Sequence, residues 1–215
     1  MKTLVLQVNI GRGTYSNSTN KFTVDHIEEI LMPSIRSYCD KYGYDYKLVK
    51  DYPENWDVKW FAVKNSKQKD TTLIKYFYAD QDEYDRILFL DTDVYATPYA
   101  LELPPIEEYG AIKNNPTVRG ETNGGVQYFD KKTGVALHKF ITNVLRKKDS
   151  KIITEQKHLD QFRKNYKEWK WLDISWNYMP AQHKKLDYKN VNFIHYAGSK
   201  GRKQFLKDLD KGLFK

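Results

Sequence analysis

The sequence contains a single cysteine and no long apolar run. With Cys39 alone, the chain cannot form an internal disulfide, and nothing in it indicates an oxidising compartment, so we expect the reducing cytoplasm. No segment reaches the roughly 18 consecutive apolar residues that a membrane span needs, so any membrane contact would be peripheral. The opening MKTLVLQVNI lacks the small-residue cleavage site of a signal peptide and is interpreted as a first strand.

The chain also lacks internal repeats, low-complexity tracts and a convincing linker. Its 215 residues suffice for one well-cored domain, and an aromatic content of 15% favours a packed globule over disorder. The formal net charge is +8, but the lysines are scattered, with small clusters at 145–151 and 199–203. Most of them are interpreted as solvated surface. By charge alone, nucleic acid, anionic lipid and a phosphorylated small substrate all remain open as partners.

Strand and helix patterns alternate along the chain. A helix between the first two strands is predicted to stop at Gly43 and to be kinked or split at Pro33. Other helices are predicted at 71–80 and around Leu137–Val144. The predicted strands are Thr3–Ile10, Tyr46–Lys50, Arg86–Leu90, Tyr109–Lys113, Gly124–Asp130 and Val191–Tyr196. This order predicts an α/β fold with a mostly parallel, mixed, twisted sheet flanked by helices on both faces.

Two carboxylates one residue apart follow the apolar strand in RILFLDTDVYAT. Asp91 and Asp93 would repel each other if buried, so such a pair persists mainly where water or a cation offsets it. The triplets Asp80–Asp82 and Asp208–Asp210 lie in a polar turn and a charged helix and are interpreted as surface. A strand-end turn would also explain Asp91 and Asp93, but the position favours chelation of Mg²⁺ or Mn²⁺ with a diphosphate.

Paired glycines begin another predicted strand in TNGGVQYFD. Gly124 and Gly125 allow close backbone approach to a ligand, and the amide of Asn123 offers both a donor and an acceptor. A simple turn entering a strand explains the same pattern, so both interpretations stay open.

The segment TEQKHLDQF is predicted to be a helix with two polar faces. Glu155, His158 and Leu159 share one face, whereas Gln156 and Asp160 share another. An amphipathic surface helix would show the same spacing, so the pattern alone does not assign a role.

A late strand ends at His195 and is followed by a basic, glycine-containing segment. Gly198, Lys200, Gly201 and Arg202 are predicted to form a loop suited to phosphate. With the imidazole, this segment would supply one metal ligand and two cations for a diphosphate.

The order of these segments carries a family resemblance. In sequence they are LFLDTDVYAT, NGGVQYF, EQKHLDQ, WNYMP and HYAGSKGRK. Together they resemble metal-dependent glycosyltransferases of the GT-A fold, most closely the branch containing glycogenin and the bacterial lipopolysaccharide galactosyltransferases. The resemblance implies one GT-A domain over 1–215, with a nucleotide-binding half at 1–113 and an acceptor- and metal-completing half at 114–215.

The resemblance also implies an activity and its site. The enzyme would move a sugar from a nucleotide-diphosphate sugar, with a UDP-sugar favoured, to a glycan or glycoconjugate hydroxyl; no nucleic-acid partner is expected. Asp91, Asp93 and His195 would coordinate Mn²⁺ or Mg²⁺. The residues expected to contact the donor are Val8, Asn9, Ile10, Tyr15, Asp91, Thr92, Asp93, Asn123, Gly124, Gly198, Lys200 and Arg202.

The chain departs from the family pattern at two places. Glu155-Gln156 stands where the family usually has Asp-Gln, and Gly201 stands where it usually has lysine, with Lys200 and Arg202 beside it. A shift of one residue would bring either cation to the diphosphate.

The catalytic candidates depend on the stereochemistry. An inverting reaction needs a carboxylate base, for which Asp160 is the first candidate and Glu155 the second. A retaining reaction, which the resemblance favours, would place Gln156 at the anomeric centre.

Two other functions stay open on the sequence. One is a sugar-phosphate nucleotidyltransferase, although NIGRGTYSNSTN is a weak match to a triphosphate-binding loop. The other is a non-catalytic basic module that binds glycan or nucleic acid, whose affinity should fall steeply with salt.

Overall fold

The computed structural model describes residues 1–10, 22–51, 75–105, 109–113, 122–146, 155–166 and 169–214. Its strands are β1 (Thr3–Val8), β2 (Asp45–Val49), β3 (Arg86–Leu90), β4 (Val94–Ala96), β5 (Tyr109–Lys113), β6 (Thr122–Asp130), β7 (Trp169–Trp171) and β8 (Phe193–His195). Its α-helices are α1 (Val24–His26), α2 (Met32–Tyr42), α3 (Lys131–Arg146), α4 (Glu155–Asn165) and α5 (Gly198–Asp210). None of these described helices is long and apolar enough to cross a membrane.

Six strands form one mixed sheet in the order β2-β1-β3-β6-β5-β7. Strands β1 and β2, β1 and β3, and β5 and β7 pair in parallel, whereas β6 runs antiparallel to both β3 and β5. The predicted α/β architecture with a mostly parallel, mixed sheet is therefore confirmed. The division into halves at residue 113 stays a prediction.

Helices cover both faces of the sheet because strand side chains alternate. On one face, residues such as Leu4, Phe89 and Phe129 pack with Leu137 of α3 and Leu159 of α4. The opposite face is formed by other side chains of the same strands. There Val5, Leu88 and Tyr128 pack against Ile35 and Tyr38 of α2. The alternation in β1 and β3 thus builds two cores, one on each side.

A second, two-stranded sheet lies next to the end of β3. Strand β4 pairs antiparallel with β8, and Val94 lies opposite His195 in this pairing. Residues 91–93 lie between β3 and β4, so the small sheet brings the Asp-Thr-Asp turn and the end of β8 to the same place. The topology therefore positions His195 beside two aspartates that are about a hundred residues earlier in the chain.

Several predicted boundaries differ from the observed ones. The first strand ends at Val8 rather than Ile10, and the late strand covers only Phe193–His195. Of the helix predicted at 71–80, the described part is a 3₁₀ turn, Lys75–Tyr78, and residues 71–74 lie outside the described residues. The helix predicted to kink or split at Pro33 is divided just before that residue: Val24–His26 is α-helical, Ile27–Leu31 is π-helical, and α2 begins at Met32.

The prediction of a basic loop after His195 is wrong. Residues 198–203 form the first turns of α5, and Gly198 enters the helix with a left-handed φ of 65°. The apolar residues behind this segment explain the helix, since Phe205 is fully buried in the cluster beneath it.

The interpretation of Asp208 as ordinary surface is also wrong. Its side chain is buried and accepts hydrogen bonds from the hydroxyls of Tyr188 and Tyr196 and from the amide of Gln204. A buried carboxylate is tolerated because these donors replace water.

Candidate metal centre

Asp91, Asp93 and His195 converge at the junction of the two sheets. Each offers one ligand atom, and these atoms all lie within 4.8 Å of one another. The Nε2 atom of His195 is 3.1 Å from Oδ1 of Asp93 and 3.8 Å from Oδ2 of Asp91. Asp93 and His195 are buried, whereas the side chain of Asp91 is 41% exposed, so the cluster opens to solvent on the Asp91 side. Thr92 between the aspartates is buried.

The charges of this cluster reinforce one another. Burial alone would raise the pKa of Asp93, but facing His195 and Arg202 lowers it below its ordinary value. Burial alone would lower the pKa of His195, but Asp93 and Asp91 raise it above its ordinary value. Without a metal, both partners are therefore stabilised in their charged forms. A divalent cation held by the carboxylates would replace the proton on the ring nitrogen that faces them.

The donor set of the cluster fits a hard or borderline divalent cation. Carboxylate oxygens suit Mg²⁺ and Mn²⁺, and imidazole nitrogen suits Mn²⁺ better than Mg²⁺. Three protein ligands would leave coordination positions for a phosphate-bearing substrate. The sequence prediction of this triad thus matches a group that the fold assembles from two distant segments.

A buried lysine that the sequence did not single out lies against the same cluster. The Nζ atom of Lys75 is 2.6 Å from Oε1 of Glu155 and 3.2 Å from Oδ1 of Asp91, and it donates to the carbonyl of Gly124 at 2.7 Å. Burial alone would lower the pKa of Lys75, but the two carboxylates raise it above its ordinary value. Among 36 lysines and arginines, no sequence pattern separated this one from the surface.

Glu155 is held by more than the lysine. The hydroxyl of Tyr76 donates to Oε1 of Glu155 at 2.7 Å, and the amide of Gln127 donates to the same hydroxyl at 2.8 Å. Both Tyr76 and Gln127 are fully buried. The carboxylate of Glu155 is thereby fixed in one position beside Gly124.

The other two catalytic candidates lie on the first two turns of α4. Oδ1 of Asp160 accepts hydrogen bonds from the backbone N–H and the hydroxyl of Thr122, at 2.9 and 2.7 Å. Asp160 therefore anchors the start of β6 next to Asn123. Gln156 is partly buried on the same helix. Their chemical roles stay predictions.

The paired glycines make room for the side chains of Glu155 and His195. A Cβ atom on Gly124 would lie 2.5 Å from Oε1 of Glu155, and one on Gly125 would lie 2.5 Å from Nδ1 of His195. From the sequence, these glycines are interpreted either as admitting a ligand or as a simple turn entering a strand. In the structure they admit Glu155 and His195, which explains why larger residues are absent there.

The remaining predicted donor-binding residues lie at the end of β1, at Tyr15 and on α5. Asn9 follows β1 and donates its backbone N–H to Val49, and it is partly buried like its neighbours Val8 and Ile10. Tyr15 lies outside the described residues. On α5, Gly198 and Lys200 are exposed. These roles stay predictions.

Gly201 and Arg202 show how α5 meets the site. A Cβ atom on Gly201 would collide with the backbone of Tyr196, so this position cannot carry a lysine side chain without a shift of the helix. The guanidinium of Arg202 lies 5.8 Å from the ring centre of Phe22 and helps to lower the pKa of Asp93. The positive charge of Arg202 therefore contributes to the electrostatics of the cluster by stabilising the ionised form of Asp93.

His158 on α4 is expected to make stability depend on pH. It is buried, and its Nδ1 has no hydrogen-bond partner within the described part of the chain, so burial lowers its pKa to about 4 from 6.5. Because the unfolded chain binds the proton more readily, stability should be full above about pH 6.5 and fall as pH drops toward 4. At about 1.4 kcal/mol per pKa unit, the loss reaches roughly 3 kcal/mol.

The measurement is urea unfolding of the wild type and His158→Leu between pH 4 and 6.5. We expect the free energy of unfolding of the variant to fall less steeply with acid. Equal slopes for the two proteins would show that His158 is not the buried neutral group that the structure indicates.

Comparison with solved structures relates the whole fold to known proteins. No protein-family model matches the sequence, and no curated protein is significantly similar to it. A glycosyltransferase involved in glycosylation of the major capsid of PBCV-1 matches with a TM-score of 0.64 at 15% identity, over 96% of this chain and 100% of the other. The galactosyltransferase LgtC matches with a TM-score of 0.56 at 14% identity, over 97% and 95%.

The apo form of the glycosyltransferase GlyE from Streptococcus pneumoniae TIGR4 also matches. Its TM-score is 0.59 at 15% identity, and the match covers 100% of this chain and 64% of GlyE. At such identities the likeness concerns the fold. The protein therefore has the GT-A glycosyltransferase fold that its sequence motifs resemble.

Proposed function

We propose that this protein is a metal-dependent glycosyltransferase that moves a sugar from a nucleotide-diphosphate sugar, with a UDP-sugar favoured, to a glycan or glycoconjugate hydroxyl. The observation that carries the proposal is the cluster of Asp91, Asp93 and His195 on a GT-A fold, with ligand atoms within 4.8 Å of one another. The three side chains would hold Mn²⁺ or Mg²⁺. When bound, such a cation neutralises the charge that develops on a departing diphosphate.

Cationic side chains of this chain would assist the same departure. The positive charge of Arg202 helps to lower the pKa of Asp93. Lys200, two residues earlier on α5, is exposed. A positive group that faces the leaving phosphates stabilises the transition state more than the ground state. Of the two, we propose Arg202 as the main cation that stabilises the departing diphosphate and Lys200 as the secondary one.

Polar side chains of α4 would have different roles near the sugar. The contacts of Glu155 with Lys75 and Tyr76 support a role in holding a charged network beside Gly124 rather than in accepting a proton. Asp160 is then the remaining base candidate for inversion, and Gln156 the residue at the anomeric centre for retention. We favour retention, as the sequence resemblance implies.

Donor binding tests this proposal. In a thermal-shift screen of UDP-sugars, one sugar with Mn²⁺ should raise the melting temperature by roughly 5–10 °C when present at about 100 times its Kd. The same sugar in chelator, and Mn²⁺ alone, serve as controls and should give much smaller shifts. A shift that persists unchanged in chelator would overturn the metal-dependent mechanism and favour a binding module.

A further inference from the structure

Asn177 contacts His195 from the side opposite the carboxylates. It is fully buried directly after the 3₁₀ turn Ile174–Trp176. Its Oδ1 lies 2.9 Å from Nδ1 of His195, and its Nδ2 lies 2.9 Å from Oδ1 of Asn123. The backbone fixes this placement, because Tyr178 bonds to Phe193 and His195 on either side of Ile194.

The orientation of the Asn123 amide is set by the backbone. The N–H of Gly125 lies 2.8 Å from the Asn123 atom that also faces Asn177. A backbone N–H only donates, so the Asn123 atom that receives it must be the oxygen. The Asn177 atom facing that oxygen must then be the NH₂ nitrogen.

The orientation of the Asn177 amide in turn sets the histidine. With its nitrogen directed at Asn123, Asn177 directs its oxygen at Nδ1 of His195. That contact is favourable only if Nδ1 carries a hydrogen and donates. The Nε2 atom, 3.1 Å from Oδ1 of Asp93, is then the ring nitrogen that would offer its lone pair to a metal, once the metal takes the place of a hydrogen between Nε2 and Asp93.

We propose that Asn177 is a positioning residue that holds the proton of His195 on Nδ1, so that Nε2 is available to a divalent cation shared with Asp91 and Asp93. The inference rests on the proposed metal site. Without the Asn177 oxygen, the acceptor left for the ring is Asp93, which would draw the proton to Nε2 and block that lone pair. One backbone N–H at Gly125 thereby determines, through two amides, that an oxygen atom faces Nδ1 of His195.

Mn²⁺ affinity in the absence of any sugar donor provides the first test. Asn177→Leu removes the acceptor at similar volume and should weaken Mn²⁺ binding by about 10- to 100-fold, measured by electron paramagnetic resonance of the free ion. Asn192→Leu is the matched control. Asn192 is also buried and makes two side-chain hydrogen bonds, to Leu101 and Ser175, neither of which reaches His195. Its Mn²⁺ affinity should equal that of the wild type.

A conservative variant tests the acceptor directly. Asn177→Asp keeps an oxygen facing Nδ1 and should bind Mn²⁺ more tightly than Asn177→Leu. Equal affinities of these two variants, or an Asn177→Leu affinity within twofold of the wild type, would overturn the proposal.

Nitrogen-15 NMR of the histidine rings supplies a readout that needs no folded variant at position 177. His195 signals are assigned by their absence in His195→Gln, and we expect a proton on Nδ1 in the wild type, both without metal and with diamagnetic Cd²⁺. An unprotonated Nδ1 would refute the role of Asn177. If the wild type binds no Mn²⁺ yet carries this proton, the proposed function fails while the assigned orientation stands.

Discussion

Replacing Asp93 with asparagine should lower kcat/KM for a UDP-sugar with Mn²⁺ by at least about 100-fold. Loss of a hydrogen-bond partner to a metal ligand typically costs 10- to 100-fold, and loss of a ligand's own charge should cost more. Asp93 is the buried carboxylate of the cluster and the one closest to Nε2 of His195. Asparagine preserves its volume but removes the charge that favours a cation at this position.

Asp82→Asn provides the matched control for that experiment. Asp82 belongs to another Asp-x-Asp triplet of the chain, but its side chain is 95% exposed and pairs with Lys131 at the surface. We expect its activity to equal that of the wild type. The assay measures release of the nucleoside diphosphate at several Mn²⁺ concentrations, with circular dichroism to verify folding. An Asp93→Asn enzyme within fivefold of the wild type would exclude the carboxylate from metal binding.

Replacing Lys75 with methionine should lower the free energy of unfolding by about 3–5 kcal/mol. This is the typical cost of breaking a buried ion pair from one side, because the remaining carboxylate loses its opposite charge in a medium that solvates it poorly. The Nζ atom of Lys75 lies 2.6 Å from Glu155, and the two side chains are only 6% and 9% exposed. The carbonyl of Gly124 would lose one of two donors, since the amide of Gln127 also donates to it at 2.9 Å.

Two further variants distinguish the effect of the buried charge from the general effect of replacing a lysine. Lys2→Met removes a lysine that pairs with Asp45 and Glu83 at the surface, where both sides are about half exposed or more, and should cost much less than Lys75→Met. The double variant Lys75→Met/Glu155→Gln removes the stranded charge and should recover much of the loss. Urea unfolding measures all of them. If Lys75→Met costs no more than Lys2→Met, Glu155 is not a buried charge that depends on Lys75.

The elements that the sequence predicted best are those whose pattern is local. The run Ile87–Leu90 is apolar without interruption because both faces of β3 are covered, and Gly43 ends α2 in a left-handed conformation with φ of 67°. Asp91 and Asp93 were recognisable as a candidate site because two carboxylates directly after a buried strand repel each other unless water or a cation offsets their charge. Each of these features is decided by neighbours within a few residues.

Residues whose environment comes from distant segments escaped the sequence analysis. Lys75 is one of many lysines until Asp91, Gly124 and Glu155 surround it. Asp208 resembled a surface residue because its donors Tyr188 and Tyr196 are brought to it by packing of α5. No periodicity in the chain encodes such contacts.

The sequence by itself determined the class of fold, through alternating strand and helix patterns, and the identity of the three residues best suited to a divalent cation. Only the tertiary structure decided how they act together. The β4–β8 pairing places His195 against Asp93, and Lys75 is buried between the carboxylates of Asp91 and Glu155. The side-chain oxygen of Asn177 faces Nδ1 of His195. The physical reason is that hydrogen bonds and ion pairs depend on distances of about 3 Å, which the chain reaches between remote segments only after its strands have taken their places.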